Sequence, residues 1–204
     1  ERIREICTKH DVLLIFDEVI TAFGRLGDSF AANRFNVRPD IITMAKGLTS
    51  AVIPMSAVAF DTTIYDQLMK GPEAMIELFH GYTYSGHPVA CAAGIATLDV
   101  YQEERLFDKA KELEPIFEEA LHSLKGLNQV IDIRNIGLMG AVQFGPGKLP
   151  ATEFAANVFQ HCYDNDVLVR YSGEFLVLSP SLIASKEHIH QISDALRNAI
   201  EANS

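Results

Sequence analysis

Apolar residues along this chain follow two rhythms, short unbroken runs and stretches with spacings of three and four, the pattern of strands mixed with helices. Val12-Leu13-Leu14-Ile15-Phe16 is an unbroken run that ends abruptly at Asp17-Glu18, and it predicts a central parallel strand buried on both faces. After a glycine-containing loop, Phe23-Gly24-Arg25-Leu26-Gly27, Pro39-Asp40 introduces a second run, Ile41-Ile42-Thr43-Met44, which stops at Lys46-Gly47. A third run extends from Met55 to Phe60. Pro88 suits the first turn of a long helix that continues through Ala92, Ala96 and Val100 and breaks near Glu103-Glu104. A domain boundary belongs at that break, dividing the chain into 1–103 and 104–204.

Beyond the boundary, a helix is expected from Leu106 to Leu124, with Pro115 kinking its axis or marking a new start. Strand candidates follow at Val130 to Arg134, Leu138 to Phe144, Val167 to Arg170 and Phe175 to Leu178, with a helix from Thr152 to Asn165 among them. Ile189, Ile192, Leu196 and Ile200 form one stripe of a closing amphipathic helix capped by Ser185. The expected fold class is α/β: a partial large domain with a mainly parallel sheet, then a small C-terminal α/β domain. The opening residues carry apolar positions at 3, 6 and 7 with no N-cap before them, as if the sequence began inside a helix with its upstream part missing.

Composition narrows the possible partners. With 204 residues, 48% of them hydrophobic, the chain can bury a real core. A net charge of −10 with dispersed Lys and Arg argues against a nucleic-acid or anionic-membrane surface and leaves small or protein partners. Cys7, Cys91 and Cys162 lack a Cys-x-x-Cys spacing, which fits reduced thiols and a cytoplasmic location. No apolar run approaches the about 20 residues needed to cross a bilayer. There is no zinc-protease His-Glu-x-x-His, nucleophile elbow, Walker loop or dinucleotide turn; no metal is expected, and His188 and His190 read as solvated.

Two residues stand out chemically. Asp17 ends one apolar run and Lys46 ends another 29 residues later, where open α/β sheets place their ligand crevices. Taken singly, Asp17 reads equally as a turn cap or the partner of a buried Arg, and Lys46 as a solvated loop residue. Together they suit pyridoxal-5′-phosphate (PLP), which needs a lysine amine to hold its aldehyde as a Schiff base and an anion against its ring nitrogen.

The wider motifs strengthen that reading. Asp17-Glu18-Val19-Ile20-Thr21-Ala22-Phe23-Gly24-Arg25-Leu26-Gly27 resembles the Asp-Glu-Val…Gly-Phe-Gly-Arg-Thr-Gly signature of class III, fold type I PLP-dependent aminotransferases. Pro39 to Gly47 is similar to that family's Schiff-base lysine segment, and His80-Gly81-Tyr82-Thr83-Tyr84-Ser85-Gly86-His87-Pro88 to its third block. The resemblance covers nearly the whole chain, as the C-terminal half of such an enzyme. It implies that Asp17 binds the pyridine nitrogen, that Val19 packs on the ring, and that Lys46 anchors the cofactor and acts as general base. It further implies that Thr83, with the backbone of Tyr82, binds the cofactor phosphate of a neighbouring subunit, making a homodimer part of the site.

Arg170 is by itself a charged residue beside a glycine turn, with a surface role as its default. The resemblance gives it the carboxylate clamp of ω-amino acid:pyruvate aminotransferases, whereas ornithine- and 4-aminobutyrate-type relatives carry their arginine at what is here Val177. An apolar Val177 therefore favours pyruvate over 2-oxoglutarate as acceptor, with an amine or ω-amino acid as donor. Ala22, Leu26 and Ser181 depart from the family pattern, the first two where loop shape could differ. The alternatives are an inactive fragment or interaction module without an assembled site, prone to aggregate alone, or a related glutamate-1-semialdehyde aminomutase or dialkylglycine decarboxylase.

Overall fold

The computed structural model describes residues 1–72, 78 and 80–204, and these divide into two compact units. The first comprises Glu1–Gly24 and Asp28–Arg105; the second comprises Arg25–Gly27 and Leu106–Ser204.

The first unit opens with helix α1 (Arg2–Lys9), which leads to strand β1 (Ile15–Asp17). A short helix α2 (Ala31–Arg34) precedes β2 (Ile41–Met44), and a single 3₁₀ turn over Lys46–Leu48 follows it directly. Then come β3 (Ala57–Phe60), α3 (Thr62–Leu68) and the long α4 (Pro88–Glu103), with Pro88 in its first turn as the sequence predicts. The strands lie in the order β1-β2-β3, β1 parallel to β2 and β3 antiparallel to it, so the sheet is mixed.

The strand predicted from Val12 is shorter and drier on paper than in fact. It begins at Ile15, and Val12, Leu13 and Ile15 are each more than half exposed; only Leu14 of the run is buried. The expectation of burial on both faces is thus corrected: Leu14 is committed to the interior while its apolar neighbours remain on the surface. Likewise, the third strand starts at Ala57 rather than Met55.

A charged link ties the start of this unit together. Asp40 Oδ2 accepts from the Leu14 N–H at 2.6 Å and from the Arg4 guanidinium at 2.7 Å. The amide of Leu14, and then Arg4, hold the Asp40 carboxyl below the usual carboxylate range.

The second unit begins with α5 (Leu106–His122), which runs as one helix through Pro115 instead of restarting there. Its buried stripe, Leu106, Ala110, Leu113, Phe117, Ala120 and Leu121, continues on both sides of the proline and favours an uninterrupted helix over a new one. Next are β4 (Val130–Ile136), β5 (Met139–Phe144), α6 (Ala151–Asp164), β6 (Arg170–Ser172), β7 (Phe175–Leu178) and α7 (Lys186–Ala202). Their sheet has the order β4-β5-β7-β6 and is antiparallel throughout.

Val142 and Phe144 of β5, with Leu176 and Leu178 of β7, face a core completed by Phe154 and Val158 of α6 and Ile189 and Leu196 of α7. Phe144 and Phe154 meet edge to face at 5.0 Å. Cys162 lies in this core, and burial pushes its thiol up to about 11, so it behaves as a small apolar residue. The strand predicted from Val167 begins at Arg170, because Val167 and Val169 turn inward to cover the core before pairing starts.

Ser185 caps α7 in a reciprocal box. Its side chain accepts from the His188 N–H, while His188 Nδ1 accepts from the Ser185 N–H. His188 is therefore a capping residue, not merely a solvated one. Arg25–Gly27 packs into this unit: Leu26 is 1% exposed, the Arg25 N–H groups reach the carbonyls of Leu138 and Pro180, and the Leu138 N–H donates to the Arg25 carbonyl. Gly137 makes that approach possible, since a Cβ there would lie 2.6 Å from the Arg25 oxygen.

The Asp40 contacts yield a pH prediction. A carboxylate whose folded pKa is depressed adds stability above its unfolded pKa of about 3.9, and that stability is lost as pH falls through the folded value. Urea unfolding of the native protein between about pH 3 and 6 should show stability rising with pH, and D40N should flatten that rise. Equal slopes in the two proteins would rule the contribution out.

Candidate active site

The parallel register sets Asp17 opposite Thr43, so β1 and β2 end side by side at the same sheet edge. Asp17 is exposed, and its Oδ1 accepts from the Thr43 hydroxyl at 3.1 Å and the Val19 N–H at 3.2 Å. These bonds aim the carboxylate and leave Oδ2 uncommitted among the described residues. Val19, half-buried, is thus joined to Asp17 through its own backbone.

Lys46 follows β2 by two residues and opens the 3₁₀ turn at the same edge. Its side chain is exposed and its φ is +44°, in the left-handed region that non-glycine residues rarely occupy. Backbone held there costs on the order of 1–3 kcal/mol and persists only where its surroundings impose it. The next residue is closely packed: a Cβ on Gly47 would sit 2.9 Å from Phe23 Cβ, and the Tyr101 hydroxyl donates to the Gly47 carbonyl at 2.7 Å.

Glu18, beside Asp17, is the residue that sequence reasoning passed over. It is 1% exposed, and its two oxygens accept from the Ala31 and Ala32 N–H groups at 2.6 and 2.8 Å and from the Thr21 hydroxyl at 2.9 Å. A buried carboxylate supplied with three donors is satisfied; here it ties the loop after β1 to the start of α2. The adjacent acids thus divide their work, one locked inside and one left available. Nothing in the Asp-Glu pair itself announces this, because the donors lie 13 and 14 residues away.

Tyr82 and Thr83 are both exposed and lie in the same unit, in a separate 3₁₀ turn over Tyr82–Tyr84 just before α4. The Tyr82 ring rests on His80 at 4.6 Å, and the Tyr82 carbonyl accepts from the Ser85 N–H. Arg170 belongs to the second unit, exposed at the start of edge strand β6 rather than closing an apolar run. It pairs directly with Val177 of β7, which in turn pairs with Ala141 of β5, opposite Arg134 of β4. Because directly paired residues project to one face, positions 170 and 177 stand side by side away from the core.

The arrangement suits PLP on its own terms. An oriented anion and a primary amine lie at the C-terminal ends of two adjacent parallel strands, both open to a ligand. Among the described residues, no group of three or more His, Cys, Asp or Glu side chains could hold a metal ion, and no helix is long and apolar enough to cross a membrane.

Residues 1–200 match the family model for class III aminotransferases, and the chain belongs to that PLP-dependent family. It is 52% identical over 200 residues to an omega-aminotransferase of Caulobacter vibrioides, covering 98% of this chain and 46% of that protein. A beta-alanine–pyruvate aminotransferase of Pseudomonas aeruginosa is 45% identical over 202 residues, with 98% and 45% covered. Among solved structures, an (S)-enantioselective omega-transaminase from Thermomicrobium roseum superposes with a TM-score of 0.91 at 31% identity, over 98% of this chain and 46% of that one. The chain therefore spans about half the length of the relatives it matches.

The buried Glu18 can be tested without any cofactor. Glu18→Ala would leave two helix-start N–H groups without their acceptor and should lower stability by about 1–3 kcal/mol. Thermal unfolding of the apo-protein measures it; a loss below about 0.5 kcal/mol would mean that solvent replaces the carboxylate freely.

Proposed function

We propose that this chain is the part of an ω-amino acid:pyruvate-type transaminase that supplies the cofactor's lysine, its ring-nitrogen anion and the carboxylate clamp. On this reading residues 1–103 belong to the PLP-binding domain and 104–204 form the small domain. The observation that carries the proposal is the placement of Asp17 at the end of β1 and of Lys46 just past the end of its parallel neighbour β2, with Lys46 at positive φ. PLP supplies an electron sink for the carbon from which a proton is taken.

The residues then have distinct tasks. Asp17, aimed by Thr43 and Val19, holds a proton on the pyridine nitrogen by its negative charge. Val19 would supply an apolar contact to the ring. Lys46 would hold the aldehyde through its amine and, when that amine is free, would serve as the general base that takes and returns the proton at the reacting carbon. Thr83 and the Tyr82 backbone bind the phosphate held by a second copy of the chain, so the working unit is a homodimer. Free cysteines at 7, 91 and 162 suit a cytoplasmic setting.

Arg170 binds the carboxylate of an ω-amino acid or of the acceptor. The names of the relatives support pyruvate as acceptor, and so does the valine beside Arg170 at position 177. The donor is an amine or ω-amino acid.

Borohydride reduction of the native protein with PLP, followed by peptide mapping, tests the core of this reading. A phosphopyridoxyl group confined to Lys46, and lost in Lys46→Ala, is the expected result; labels scattered over surface lysines would overturn it. Arg170→Ala should raise KM for a carboxylate-bearing substrate by about 10- to 100-fold while changing little for an amine without a carboxylate, the loss of a charge-assisted bidentate contact. Equal effects on both substrate types would remove Arg170 from carboxylate binding.

A further inference from the structure

Lysine has a long flexible side chain, so the position of its amine depends on how firmly its backbone is held. At Lys46 the support comes from three separate pieces of the first unit. Gly47 belongs to the lysine turn, Phe23 to the loop after Asp17, and Tyr101 to the far end of α4. The Tyr101 ring stacks on Phe23 at 6.4 Å with 22° between planes, and its hydroxyl reaches over to the Gly47 carbonyl at 2.7 Å. Phe23, itself at φ +62°, occupies the space that a side chain at position 47 would need. The same Gly47 carbonyl receives only a long 3.4 Å bond from the Ser50 N–H, so the tyrosine is its close donor.

Downstream, Thr49 is 2% exposed and its hydroxyl donates to the Ile53 carbonyl at 2.6 Å, which fixes the exit from the turn. The conformation of Lys46 is thus bounded on one side by a buried hydroxyl bond and on the other by Tyr101 and Phe23.

We propose that Tyr101 is a positioning residue for Lys46: acting through the Gly47 carbonyl and the Phe23 ring, it holds the lysine turn in its left-handed form and registers it against the loop of Asp17. The proposal rests on the reading of Lys46 as the PLP-binding lysine. Tyr101 itself touches neither cofactor nor substrate in this role. A buried tyrosine that merely needed an acceptor could use any nearby carbonyl. This one uses the residue next to Lys46, and its ring is braced by a residue six positions after Asp17.

The test uses the holo form of the native protein. Tyr101→Phe keeps the ring stack and removes only the hydroxyl; Ser185→Ala, at the cap of α7, serves as a control that weakens the fold elsewhere. At limiting PLP, borohydride-trapped label on Lys46 should fall about fivefold in Tyr101→Phe, the equilibrium equivalent of one neutral hydrogen bond. The spectroscopic titration of the lysine-bound cofactor should shift by about 0.5–1 pH unit, and Ser185→Ala should show neither change. In the apo-protein, hydrogen exchange in Tyr101→Phe should accelerate selectively over residues 46–50.

A second variant, Phe23→Leu, removes the stack and should move the titration in the same direction. Wild-type-like labelling and titration in Tyr101→Phe would overturn the proposal, as would equal shifts in the Ser185→Ala control. Failure of wild-type protein to label at Lys46 would instead refute the underlying assignment of that lysine.

Discussion

The candidate site depends on one register, the parallel pairing that sets Asp17 beside Thr43. Side chains in a strand alternate faces, so a slip of one residue would bring Ile42 or Met44 to the aspartate and turn Thr43 to the other side. The Thr43 hydroxyl would then no longer orient Oδ1, and Lys46 would leave the strand end one step out of phase. A parallel pair cannot be closed by a tight hairpin, so the chain between the strands must return over a long path. Glu18 organises that return: by accepting the first N–H groups of α2 it fixes where the loop re-enters structure, and its own amide donates to the Thr43 carbonyl at 2.9 Å. The residue next to the candidate acid Asp17 therefore helps secure the register in which that acid is held.

The two units use burial differently. In the second, a core of helices against one sheet face leaves Arg170 and Val177 on the opposite face, where a substitution should have little effect on packing. In the first, the strands are short, Ile15 is 56% exposed, and the acid and amine at their ends are open to solvent. Open placement is a requirement here, since a buried, fully bonded carboxylate like Glu18 has no capacity left for a ligand.

Much of this was legible in the chain. Apolar runs located β2 and β7 to the residue, Pro88 marked the first turn of α4, and Ser185 marked the cap of α7. Asp17 and Lys46 drew notice because each ends such a run, and family membership follows from the motifs around them. What escaped were consequences of distant approach. Whether Val12 and Leu13 are covered depends on neighbours that a run of apolar letters does not specify. Arg25 to Gly27 read as a loop of the first domain, yet Leu26, a departure from the family pattern, is buried against residues more than a hundred positions later. The share of work between Asp17 and Glu18, and the link from Tyr101 to Gly47, are likewise visible only once backbone donors and acceptors have positions.

Backbone strain gives those hidden contacts a common meaning. Phe23, Lys46, Ser50 and Ala51 all lie at positive φ, and none is glycine. Each costs free energy in isolation, so their clustering requires compensating contacts nearby. Those contacts are the Phe23 stack, the Tyr101 hydroxyl bond and the buried Thr49 hydroxyl, all bearing on the turn that carries Lys46. A relaxed turn with glycine at position 46 would be cheaper to fold but could carry no amine. Retaining lysine there demands a surrounding that imposes its backbone, and a fixed backbone sets the point from which the amine extends. Precision at the end of a flexible side chain comes from rigidity at its base, so packing around Gly47 would bear on the chemistry proposed for Lys46 although Gly47 takes no part in it.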